Sequence, residues 1–180
     1  EPGQTAGIVK LHDSQKVIGA TTDCNPLYIR INPELGMIYT VLEAYRNLIA
    51  SNIKPMAITN NLNFASPLDP NIMGEIVLSI NGLKKSASKL NTPIVSGNVS
   101  LYNQTNELPI NPTPVIGMVG SNLDINRVLS NKFQNLGDII ISIGESLGPL
   151  NSPYFLQDHK ITKEINSFND LEDIDLEKEN

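Results

Sequence analysis

The 180-residue chain reads as an α/β protein holding one full domain and part of a second. Two observations predict this. Apolar runs of strand length at Lys16–Thr22, Lys54–Thr59 and Pro93–Asn98 each empty into a polar cluster, and between them lie two long stretches with apolar residues at helical spacing. Strand, helix, strand, helix, strand is the order of crossover-connected α/β units, which bring successive strand ends to one edge of a sheet.

Each element has its own signal. Gly7–Leu11 and Lys16–Thr22 flank a His12-Asp13-Ser14 turn and read as two short strands, the second running into Asp23-Cys24-Asn25-Pro26, read as a turn. From Pro33, the residues Met37, Ile38, Val41, Leu42, Tyr45, Leu48 and Ile49 recur with a 3.6-residue period and leave Glu43, Arg46 and Asn47 to another face. Lys54–Thr59 ends in the amides Asn60, Asn61 and Asn63. A second helix over roughly 71–90 carries Met73, Ile76, Val77, Ile80, Leu83 and Leu90 on one side. Pro93–Asn98 and Pro112–Gly120 are further strands, 122–127 is a connection, and Asp138–Gly144 reads as a buried strand opening a new unit. The expected division is a ligand-binding domain over 1–122 and the truncated start of a second domain over 123–180.

Composition narrows the class. The formal net charge is -6, and much of it sits in 157–180, where eight acidic residues face Lys160, Lys163 and Lys178. A nearly neutral body without a basic cluster, and with few aromatics, lacks the footprint of a nucleic-acid binder. No apolar run approaches bilayer-spanning length, so no membrane role is expected. Cys24 stands alone, which excludes an internal disulfide and fits a reducing, cytoplasmic location. The opening Glu1-Pro2-Gly3-Gln4 reads as the interior of a longer protein. Neither a phosphate-cradling P-loop nor a dinucleotide fingerprint is present, and His12, His159 and Cys24 lack zinc-type spacing.

The chemistry concentrates in Ser96-Gly97-Asn98-Val99-Ser100. Gly97 lets a ligand approach the backbone, Asn98 offers a neutral oxygen to a hard cation, and Ser100 offers a hydroxyl to an anion. These are also turn residues by propensity, so a plain tight turn is the competing reading. The ligand reading gains from Asp23 and Asn60, expected at the same sheet edge. By itself Asp23 equally fits a turn cap, and Glu43 with Asn47, four apart on one helix face, fits either joint coordination of a cation or a solvated surface. Nothing near Cys24 would lower its pKa, so it reads as a bystander thiol.

Taken together, Thr21-Thr22-Asp23-Cys24-Asn25-Pro26, Glu43-Ala44-Tyr45-Arg46-Asn47, the run from Ala57 to Phe64, the run from Val95 to Asn103 and Pro112–Gly120 resemble phosphoribosylformylglycinamidine synthase over about Gly7 to Gly144. The likeness is to the second of two aminoimidazole-ribonucleotide-synthetase-like halves of its synthetase part. What the resemblance implies is a sheet backed by two long helices, its edge pairing with a second such sheet into a barrel. It further implies ATP- and glutamine-dependent C–N ligation of formylglycinamide ribonucleotide to formylglycinamidine ribonucleotide in purine biosynthesis, with ATP activating the amide oxygen before ammonia enters.

Carried over by position, Asn60 and Gly97 contact ATP, Asn98 binds Mg2+ and Ser100 contacts the substrate phosphate. Asp23, Glu43 and Asn47 are further candidates, because Glu43 and Asn47 resemble a pair that holds magnesium beside a non-reacting nucleotide in long single-chain relatives. Asn60 stands where many relatives have Asp. The family's first half, which carries its catalytic His, and its glutaminase subunit are implied as partners, so the chain by itself is expected not to turn over. An isolated half is expected to dimerise through its uncovered sheet. The alternatives are a non-catalytic nucleotide-binding or scaffold module, and another ATP-dependent relative. Those relatives carry an Asp-Gly-Val-Gly-Thr-Lys kind of motif where this chain has Thr22-Asp23-Cys24-Asn25-Pro26.

Overall fold

The computed structural model describes residues 4–106, 108–141 and 176. Strands β1 (Gly7–Lys10) and β2 (Val17–Asp23) form an antiparallel hairpin whose turn puts Asp13 at φ 53°. A six-residue helix α1 (Pro26–Ile31) follows, where the sequence reads as a turn. Pro26, with its fixed φ, starts it, and Asn32 both ends it and caps the next helix by accepting from Leu35 N at 3.0 Å.

Helix α2 (Pro33–Ala50) buries Met37, Ile38, Val41, Leu42, Ala44 and Leu48. Next come β3 (Lys54–Asn63), α3 (Pro70–Lys89, capped by Asp69) and β4 (Ile94–Ser100). A minimal hairpin pairs β5 (Gln104–Thr105) with β6 (Leu108–Pro109), and β7 (Val115–Asn122) runs into a 3₁₀ turn at Ile125–Arg127. The fold is mixed α/β, as expected, with both long helices within a residue or two of their expected bounds.

Sheet order is β1-β2-β7-β3-β4, with β3 and β4 parallel and the other neighbours antiparallel. β2 and β3 therefore run the same way without touching, because β7 returns between them. Their carboxyl ends and that of β4 still lie along one edge, which is what brings Asp23, Asn60 and Asn98 to the same end of the sheet.

On one face the core is Ile58, Ile116, Met118 and Val17 against Met37, Leu42 and Leu48. Each such side chain contributes about 1.5–3 kcal/mol by leaving water. α3 lies so close to α2 that a Cβ on Gly82 would collide with the backbone oxygen of Glu34. Among the described residues no helix covers the opposite face, and Val9, Ile18, Met56 and Val119 are between 40% and 66% exposed there. Among the described residues no helix is long and apolar enough to cross a membrane.

One expectation is corrected. Residues 138–141 form no strand, and Ile139, Ile140 and Ile141 are at least 75% exposed. An apolar run becomes a buried strand only beside a backbone that accepts its hydrogen bonds and a face that covers it. Neither lies beside this segment in the described structure. The remainder of that expected strand, 142–144, lies outside the described residues.

Candidate functional site

Strand register decides which predicted residues meet. Asp23 pairs with Ile116, Ile116 with Asn60 and Asn60 with Gly97, so these four form one row across the sheet. Residues in register share a face. Since Ile116 is fully buried, that face is the helix-covered one. Asn98 pairs with Asn61, and Ser100 with Asn63, one and three positions further along. Alternation turns Asn98 and Ser100 to the open face. The predicted set is thus divided by the sheet: Asp23, Asn60 and Gly97 on one side, Asn98 and Ser100 on the other.

What reunites part of it is the position of β4 at the sheet edge. Phe64 N donates to Ser100 O at 3.0 Å, so Ser100 and, two residues back, Asn98 turn their peptide groups into the sheet. Gly97 and Val99 turn theirs outward, where no described strand pairs with them. The edge therefore presents Gly97's peptide donor and acceptor. The Asn60 amide overlies the same spot, its Oδ1 2.7 Å from where a Cβ on Gly97 would stand. Glycine is required for this approach. A ligand lying along the edge can touch Gly97 and Asn60 on one side and Asn98 and Ser100 on the other.

On the open face, Asn98 Nδ2 donates to Asn61 Oδ1 at 2.9 Å. The hydroxyl of Ser100 donates to Asn103 Oδ1 at 3.2 Å, while Asn103 Nδ2 donates to Phe64 O and Ser100 O at 3.0 and 2.9 Å. Asn63 Nδ2 donates to Thr113 O at 2.9 Å, tying the loop before β7 to the end of β3. Tyr102, at φ 60°, occupies the left-handed region in the turn after β4, a conformation costly for an aromatic residue. Asn61 and Asn103 are the site residues that sequence reading missed. Asn61 was legible in principle, because period-two alternation separates it from Asn60 once the register with β4 is known.

Asp23 and Asn47 do meet, and Glu43 lies within electrostatic reach of Asp23. Asn47 Nδ2 on α2 donates to Asp23 Oδ1 at 3.0 Å, and the other carboxylate oxygen is buried with no hydrogen-bond partner. Burial raises the Asp23 pKa, opposed by the Asn47 amide and then by Thr21, whose own hydroxyl donates to Ala44 O. Glu43 is likewise raised, first by burial and then by the charge of Asp23. Burial and Glu43 push the Cys24 thiol up, making it a poor nucleophile.

Among the described residues no three His, Cys, Asp or Glu side chains converge as a metal centre. Magnesium needs no such centre, since it keeps waters and is held largely by substrate phosphates with one or two protein oxygens. The edge meets that requirement. Asn98 engages its NH2 with Asn61, which turns its carbonyl oxygen away from β3, and a Cβ would fill the cradle over Gly97. Two open hollows, of about 690 Å³ at the Lys10–Gln15 turn and about 490 Å³ between Lys84 and Ile94, lie away from these groups.

A family model described as AIR synthase related protein, N-terminal domain, matches residues 3–121. The chain belongs to the AIR synthase related family. Among solved structures, this AIR synthase related domain is similar to phosphoribosylformylglycinamidine synthase II from Thermotoga maritima, at 28% identity and a TM-score of 0.64, over 71% of this chain and 21% of that one. T. maritima PurL complexed with ATP matches at 29% identity and a TM-score of 0.65, over 73% and 22%; PurL complexed with FGAR matches at 29% and 0.66, over 73% and 21%. The protein named AaThiL, complexed with AMPPCP and TMP, shares the fold at 19% identity and a TM-score of 0.59, over 76% and 40%. The domain spans about a fifth of the length of the T. maritima relatives.

Proposed function

We propose that this chain supplies the second nucleotide-binding half of a phosphoribosylformylglycinamidine synthase, an ATP- and glutamine-dependent ligase of purine biosynthesis. The observation that carries the reading is the edge position of β4 in the described sheet, where Gly97's outward backbone, the overlying Asn60 amide and the Asn98 side chain lie within one ligand's reach. Structural similarity to proteins complexed with ATP and with FGAR supports it. In this reading Asn60 and Gly97 bind ATP, Asn98 is a ligand of the accompanying Mg2+, and Ser100 meets the phosphate of the ribonucleotide after its hydroxyl leaves Asn103. Magnesium, when bound, neutralises phosphate charge during phosphoryl transfer. The chain's own residues bind and orient; a catalytic residue is assigned to none of them.

Completion of the site falls to a first half of similar layout and a glutaminase partner, with ammonia as the transferred nucleophile. Residues 1–122 form the nucleotide-binding domain and 123–180 begin the closing one. Without its counterpart, the uncovered sheet face pairs with a second copy. The free Cys24 fits a cytoplasmic setting.

Asp23 favours a second cation position with Glu43 and Asn47, because its Oδ2 is buried without a hydrogen-bond partner and its charge is felt by Glu43. Calorimetric titration with Mg-ADP tests the main reading. Saturable binding that Asn98→Ala abolishes is the expected result. Absence of heat from the unmodified chain would instead place it among non-catalytic scaffold modules.

A further inference from the structure

We propose that Asn61 is a positioning residue that turns the carbonyl oxygen of Asn98 outward to the cation; this rests on the β4 edge being a magnesium-nucleotide site. An amide side chain has two ends of nearly equal shape, and only its oxygen ligates a hard cation. Asn98 lies exposed on an edge strand, where packing does not choose between those ends. Asn61 is placed to do so: its Oδ1 accepts from Asn98 Nδ2 at 2.9 Å across the parallel β3–β4 pair, which turns the NH2 toward β3 and the oxygen away from it.

The composition of β3 points the same way. Asparagine is depleted in strands, yet Asn60, Asn61 and Asn63 occupy its carboxyl end. Asn60 serves the helix-side cradle over Gly97, and Asn63 ties down Thr113. Asn61 is left with Asn98. Departures from local propensity concentrate where function requires a particular side chain. Groups that orient a metal ligand typically matter 10–100-fold in metal affinity.

The test uses the full 180-residue chain, with Mn2+ and ADP as probe and the electron paramagnetic resonance of bound Mn2+ as readout. Asn61→Leu removes both amide ends while keeping bulk, and is expected to weaken Mn2+-ADP binding about 10-fold or more. Asn61→Asp retains an acceptor oxygen and is expected to bind close to the unmodified chain. The decisive variant is Asn61→Leu with Asn98→Asp: a carboxylate presents oxygen at either end and needs no orienting partner, so binding is restored.

Circular dichroism melts accompany each variant, and both positions are exposed, so folding is scored separately. If Asn61→Leu binds like the unmodified chain, or Asn98→Asp fails to rescue it, Asn61 has no positioning role while the nucleotide reading stands. If the unmodified chain shows no saturable Mn2+-ADP signal, the reading of the edge falls and this inference falls with it.

Discussion

Asp23 and Glu43 are two carboxyls that hold their protons more tightly in the folded chain than in the unfolded one. Such groups stabilise the fold fully below their unfolded pKa values, and that contribution is lost as pH rises through the raised folded values. The ligand-free chain is therefore expected to lose stability on this account from about pH 4 upward, the unfolded carboxyl range. Asp23→Asn removes one charge while keeping an acceptor for Asn47. It should raise the melting temperature at neutral pH and flatten the slope. Melts of both proteins across the acid to neutral range check this, and parallel slopes would show that Asp23 titrates normally. A bound cation reverses the sense, since it favours the charged carboxylates.

Two glycines separate binding from packing at the scale of elements. A Cβ on Gly97 meets the movable end of Asn60, so Gly97→Ala is expected to leave stability within about 1 kcal/mol while displacing the amide and weakening Mg-ADP binding. A Cβ on Gly82 meets the rigid backbone of Glu34 in α2. Overpacking of this kind costs about 1–3 kcal/mol, so Gly82→Ala should lower the denaturant midpoint. Equal losses in both variants would mean that Gly97 is structural.

At this scale the helices were legible because Met37, Val41, Leu42 and Leu48 repeat with a period set by the helix itself. Strand-facing was not. Whether Asn60 or Asn61 shares a face with Asn98 depends on register shifts at Pro55/Ala57 and Ile58/Thr59, which no local pattern announces. For the same reason, Ile139–Ile141 read as a strand by composition but lack a neighbour in the described structure. The six residues of α1 are too few for periodicity to show.

For the whole molecule, the apolar open face of the sheet is the dominant liability. Val9, Ile18, Met56 and Val119 lie on the side that no described helix covers. Apolar patches of this kind mark association surfaces. Sedimentation of the chain should give a dimer, and Val119→Lys should shift it to monomer without altering Mg-ADP affinity per chain. A monomer in the unmodified protein at micromolar concentration would remove the proposed pairing.

The placement of β7 has a consequence for how this architecture is assembled. β1 and β2 make one ribbon and β3 and β4 another, and residues 115–122 are what splice them. A chain growing on the ribosome thus holds two ribbons with no strand pairing between them until β7 emerges, and contacts spanning more than ninety residues, such as Val17 with Asn122, must close late. Such distant closures slow folding. Cotranslational arrest before Val115 should accordingly yield a protease-sensitive intermediate, in which the rim that unites Asp23 with Asn60 has yet to exist.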